Sequence, residues 1–142
     1  HTEDALDKTL SYLSHVKGSG RLIVLSGSMW DGRDKGKRPK MWALLDRYAD
    51  IVVLADEDPG SENRLAIIAE LINGMKTKKE GEWLFVLPER RFALEFIKDI
   101  AKEGDTVFLA GKWHEEVMLT KYGRRSWSDR KEMEKVLGIV SN

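Results

Sequence analysis

Apolar and polar residues follow two different rhythms along this chain. Four short runs are apolar through their centres, with little period-2 alternation: Arg21–Ser26, Asp50–Asp56, Trp83–Leu87 and Thr106–Ala110. Strands read this way when both faces of their sheet are covered. Between the runs the spacing becomes helical. Leu6, Leu10 and Leu13 mark a first helix, and Met41, Leu44, Leu45 and Tyr48 a second. Leu65, Ile68, Leu71 and Ile72 mark a third, and Phe92, Leu94, Phe96, Ile97 and Ile100 a fourth. This order predicts an α/β, Rossmann-like fold, with a mostly parallel sheet of about six strands and helices on both faces. Arg21–Ser26 and Thr106–Ala110 are expected at its centre, with Asp50–Asp56 beside the first. Past Gly111 the pattern changes. Val117–Thr120 and Arg124–Trp127, around Lys121-Tyr122-Gly123, predict a C-terminal hairpin forming an antiparallel edge. Ser128 is placed to cap a last helix over Lys131–Leu137.

Length and charge narrow the functional classes. The 142 residues suit one domain, 1–142, with one substantial core. Lys plus Arg and Asp plus Glu number 24 each, so no basic excess points to nucleic acid. The chain has no Cys, which excludes disulfides and thiolate metal sites. Its apolar runs are too short for a membrane span, and His1-Thr2-Glu3-Asp4 carries no signal-peptide pattern. A start without Met is expected of a fragment of a longer protein.

In open α/β sheets, ligands bind outside the carboxyl ends of the strands, so the segments that follow strands are the ones to read for chemistry. The first, Gly27–Pro39, holds Gly27, Gly32 and Gly36 with Arg33, Lys35, Lys37 and Arg38. Glycines let backbone approach a ligand, and a following helix N-terminus favours anions. It is not a P-loop: Gly32 and Gly36 are one residue too close, and Arg38 stands where Ser or Thr would meet magnesium. On these residues alone it is equally a basic surface loop. The second segment clusters Asp56, Glu57, Asp58 and Glu62. Such repelling carboxylates suit a cation, a cationic ligand or a helix N-terminus capped by Ser61. The third, Gly111-Lys112-Trp113-His114-Glu115-Glu116, holds one of only three His in the chain, so a His-based metal site is not expected.

Taken in order, Gly32–Pro39, Asp56–Pro59, Ala110–Glu115 and Trp127–Arg130 resemble the third domain of the Mur ligases that extend UDP-N-acetylmuramoyl-dipeptide in peptidoglycan synthesis. The start, His1-Thr2-Glu3-Asp4-Ala5-Leu6, resembles the family's entry into that domain, so the resemblance covers essentially the whole chain.

The resemblance implies an ATP-dependent, amide-forming ligase that adds the third residue of the stem peptide in the cytoplasm. Its UDP-binding and central ATPase domains would lie outside this chain, together with the sites for ATP and Mg2+. This domain would need no cofactor or metal of its own, contain no catalytic residue and be inactive alone. By motif match, Arg33 would hold a carboxylate of the incoming amino acid. Glu57 and Asp58 would read its far end, and Gly111 (through its backbone) and Glu115 would complete the contacts. His1, Lys37 and Arg38 would lie near the nucleotide. Three departures bear on the pocket. The first segment reads Trp30-Asp31-Gly32-Arg33 where many members have Gly-Gly-Asp-Arg, and Trp113 replaces a Gly. The second segment has Gly60 where diaminopimelate-adding members carry Arg. An added acid at Asp58 and no Arg at 60 lead to the expectation of L-lysine, or a similar diamino monocarboxylic acid, over meso-diaminopimelate. The alternative class is a stand-alone anion- or nucleotide-binding or interaction module without catalysis.

Overall fold

A computed structural model of the chain describes residues 3–26, 38–55, 69, 73, 83–87, 89–110, 117–120, 123–126 and 129–138. The elements run α1 (Glu3–Val16), β1 (Leu22–Ser26), α2 (Arg38–Tyr48), β2 (Ile51–Leu54), β3 (Leu84–Val86), α3 (Arg90–Ile100), β4 (Thr106–Leu109), β5 (Val117–Thr120), β6 (Gly123–Ser126) and α4 (Asp129–Leu137). Four strands form one parallel sheet in the order β3-β2-β1-β4.

Alternation along each strand divides the core into two layers. Leu22 and Val24 of β1 join Val52, Leu54 and Leu84 under α1 and α2, which contribute Leu10, Trp42 and Leu45. Ile23 and Leu25 point the other way, joining Ile51 and Val53 under Ala93, Leu94 and Ile97 of α3, with Met133 and Val136 of α4 at the margin. Every residue of β1 and β2 is therefore buried, which explains why their sequences show no alternation. Each fully buried Leu or Ile contributes about 1.5–3 kcal/mol from removal of its side chain from water.

Three expectations need correction. The main sheet has four strands among the described residues, not about six. β5 and β6 pair antiparallel with each other as a separate two-stranded sheet. Thr120 pairs with Gly123, so the connection is only two residues long, and such a hairpin satisfies its inner ladder locally without adding an edge to the parallel sheet. Thr106–Ala110 is not central either. The chain steps from β1 through β2 to β3, then α3 carries it back to the far side of β1, leaving β4 outermost among the described strands and only half-buried. Of the residues that mark α3, Phe92 is 61% exposed; the inner stripe of the helix is Arg90, Ala93, Leu94 and Ile97. Leu65, Ile68, Leu71 and Ile72, and the capping residue Ser128, lie outside the described residues, although Ala69 and Asn73 are helical.

The amino ends of the strands are held by side chains. Asp105 accepts hydrogen bonds from the backbone N–H groups of Arg21 (2.9 Å) and Lys102 (2.8 Å) and from Arg21 Nη2 (2.8 Å). The same Nη2 donates to the Ile100 carbonyl at 2.8 Å, so one Arg–Asp pair joins the end of α3 to the starts of β1 and β4. Asp50 likewise accepts from the Leu22 N–H (2.7 Å) and from Lys17 Nζ. Between these pairs the backbones of Gly20 and Gly104 meet so closely that a Cβ on Gly20 would lie 1.9 Å from the Gly104 carbonyl oxygen.

Candidate functional site

The order β3-β2-β1-β4 reverses direction between β1 and β4. In a sheet of this kind, such a switch point opens a crevice outside the carboxyl ends of the two strands, because the crossovers on either side lie on opposite faces. Here the strand ends are level. Ala55 N–H donates to Ser26 O at 3.0 Å, Ala110 N–H to Leu25 O at 2.9 Å, and Leu87 N–H to Leu54 O at 2.9 Å. Segments 27–37, 56–68 and 111–116 thus leave from three adjacent strands at one edge of the sheet, the first and last from the two strands that flank the switch point.

Arg33, Glu57, Asp58, Gly111 and Glu115, assigned above to the amino acid, lie outside the described residues, as do His1 and Lys37. Arg38 opens α2, the helix that follows the first of these segments. What the structure brings together is therefore the set of strand ends from which the candidate residues depart.

One residue at this edge was missed from the sequence. Arg90, the first residue of α3, is fully buried, and its Nη2 donates to the carbonyl of Ala110 at 3.0 Å. Ala110 is the last residue before the third segment. The signal was present: Pro88-Glu89-Arg90-Arg91 follows the third β run, at the same edge as the other three segments. Arg90 also stands three, four and seven residues before Ala93, Leu94 and Ile97, the spacing of an inward-facing position. Ser26, at the carboxyl end of β1, is the other buried polar residue among the described ones.

Two described acids, Asp50 and Asp105, serve the backbone at the opposite end of the sheet. Hydrogen bonds from the Arg21 side chain, then from the Lys102 and Arg21 N–H groups, hold the Asp105 carboxyl well below the usual carboxylate range. Among the described residues no three His, Asp or Glu side chains gather as a metal site. No helix among them is long and apolar enough to cross a membrane.

Comparison with known proteins agrees with the motifs. The family described as Mur ligase, glutamate ligase domain matches residues 1–113. The UDP-N-acetylmuramoyl-L-alanyl-D-glutamate--2,6-diaminopimelate ligase of Vibrio vulnificus (strain YJ016) is 39% identical over 141 residues, covering 99% of this chain and 28% of that protein. The UDP-N-acetylmuramyl-tripeptide synthetase of Borrelia garinii subsp. bavariensis is 33% identical over 137 residues, covering 96% of this chain and 27% of that protein. A solved structure of a UDP-N-acetylmuramoyl-L-alanyl-D-glutamate--2,6-diaminopimelate ligase superposes with a TM-score of 0.86 at 30% identity, over 97% of this chain and 28% of that one. The chain thus spans little more than a quarter of the length of these relatives. Two of the three names carry 2,6-diaminopimelate, so the expectation of a lysine-like amino acid finds no support among them. The motif order, the switch-point sheet and the near full-length matches together establish that the chain belongs to the C-terminal, or glutamate ligase, domain family of the Mur ligases.

Proposed function

We propose that this chain is the amino-acid-binding domain of an ATP-dependent ligase that adds the third residue to UDP-N-acetylmuramoyl-dipeptide. The observation that carries the reading is the level carboxyl edge at the switch point, from which the segments bearing Arg33, Glu57 with Asp58, and Gly111 with Glu115 all depart. In that reaction the dipeptide's terminal carboxylate is activated as an acyl phosphate. The amine of the incoming amino acid attacks the acyl carbon and phosphate leaves, giving an amide, ADP and phosphate. The part of this chain is to hold and orient the attacking amino acid, since orientation removes much of the entropic barrier to such a step. Arg33 suits the α-carboxylate, by a charge-assisted and often bidentate contact. Glu57, Asp58 and Glu115 suit an ammonium at the far end.

Gly32–Pro39 does not make a P-loop, so the residues present here do not fit the triphosphate or its Mg2+. We assign both to the remainder of the ligase, with His1, Lys37 and Arg38 approaching the nucleotide from this domain. A nucleotide-linked substrate and ATP assign the reaction to the cytoplasm. The amino acid is proposed as a diamino acid. The lysine-like reading rests on Gly60 and Asp58 alone and is not carried forward against the relatives' names.

The test is ligation by the complete enzyme, with UDP-N-acetylmuramoyl-dipeptide, ATP and each diamino acid in turn, followed by the mass of the product. A tripeptide product with a diamino acid is expected, and the preferred substrate names the amino acid. No ligation with any of them, together with tight nucleotide binding by the isolated chain, would favour the stand-alone binding module instead.

A further inference from the structure

Arg90 sits where an apolar residue would be expected. It continues the inner stripe of α3, at the boundary between the second core layer and the carboxyl edge of the sheet, and none of its surface is exposed. Removing a guanidinium from water is costly unless its donors are used in good geometry. One of them reaches the Ala110 carbonyl at 3.0 Å. The two partners come from opposite sides of the sheet: Arg90 follows β3, Ala110 follows β4, and β2 and β1 lie between those strands. The contact ties the start of α3 to the last residue before segment 111–116.

We propose that Arg90 is a positioning residue for the amino-acid site, fixing the carbonyl of Ala110, the residue from which segment 111–116 continues. The proposal rests on the reading that Gly111 and Glu115 contact the incoming amino acid. A peptide unit is planar, so a donor that fixes the Ala110 carbonyl fixes the plane of the bond leading into Gly111. Among the described residues β4 is the outer strand, with β1 on one side, so the ladder they show restrains its end less than it restrains β1 or β2. Arg90 supplies the restraint from the helix side. It acts through segment 111–116 and not by touching the substrate, which predicts a specific kinetic signature.

The experiment uses the complete ligase with Arg90→Met, Arg90→Lys and Glu115→Ala, and measures KM for the amino acid, the UDP-linked dipeptide and ATP, with thermal unfolding of each variant. Loss of one charge-assisted hydrogen bond should raise the amino-acid KM roughly ten-fold in Arg90→Met, while the other two KM values stay near wild type. Arg90→Lys keeps the charge but not the planar fork, so it should show a smaller rise. A uniform change in all three KM values, or an unchanged amino-acid KM in the folded variants, overturns the proposal. If Arg90→Met does not fold, Arg90→Lys decides by the same criterion. Glu115→Ala separates the two claims. If it leaves the amino-acid KM unchanged, the reading of segment 111–116 is wrong and the Arg90 proposal falls with it. If it raises that KM and the Arg90 variants do not, only the Arg90 proposal is overturned.

Discussion

The two ends of the parallel sheet are built on different principles. At the amino edge, charged side chains serve the backbone. Asp105 gathers Arg21 and two N–H groups, Asp50 gathers Lys17 and another, and Gly20 lies directly against Gly104. At the carboxyl edge the strands end level, and three segments rich in charge and glycine depart from them, with the buried Arg90 braced against the end of β4. The same residue types thus mean different things at the two edges. An Asp at the start of a strand closes the fold, whereas the acids after β2 and β4 are proposed to read a ligand. Changes at the amino edge should therefore move stability and leave substrate use alone, and changes at the carboxyl edge should do the reverse.

The largest effect is expected at the amino edge. Gly20→Ala places a methyl 1.9 Å from a backbone oxygen that no side-chain rotation can move away. It should cost about 3 kcal/mol, the upper end for overpacking, read as a lower midpoint in denaturant. The amino-acid KM of the folded fraction should not change. A Gly20→Ala protein of normal stability, or one with an altered KM, would blur the division.

Next comes Arg33→Ala, in the segment that follows β1. Losing a charge-assisted contact to the substrate carboxylate should raise the amino-acid KM roughly ten- to a hundred-fold, with the unfolding midpoint unchanged. A fall in stability without a change in KM would instead place Arg33 among the structural residues.

The smallest effect is one of pH. Asp105 is held below the usual carboxylate range chiefly by Arg21, so its folded value lies under its unfolded one. Its contribution is then complete above the ordinary carboxylate value of about 3.9 and is lost as pH falls through the lower, folded value. Asp105→Asn should accordingly flatten the acid side of the stability curve, measured by unfolding between about pH 2 and pH 5, with little change in its slope near neutrality. An unchanged acid limb would show that the pair does not couple to folding.

How much of this was legible from residues alone follows from the kind of signal each feature leaves. Leu22–Leu25 and Ile51–Ala55 announced covered strands because burial on both faces removes alternation. Strand order leaves no such trace. Thr106–Ala110 is as apolar as a central strand, yet α3 returns the chain to the outside of β1 and makes it the outer one of the described strands. Phe92 helps mark the helix by its spacing yet lies outward, while the inner stripe is completed by Arg90, which a search for apolar positions passes over. The family was legible from four motifs in order. The geometry around Arg33, Glu57, Asp58 and Glu115 was not, because motif matching assigns a residue's role without its position.

The most direct measurement is a crystal structure of the complete ligase with its diamino acid and the UDP-linked dipeptide bound. The account predicts the amino acid at the crevice between the ends of β1 and β4, with Arg33 within about 3 Å of its α-carboxylate. Glu57, Asp58 and Glu115 should surround its far ammonium, and Arg90 should remain on the Ala110 carbonyl. An amino acid bound away from this edge, or Arg33 and Glu115 contacting different ligands, would contradict it.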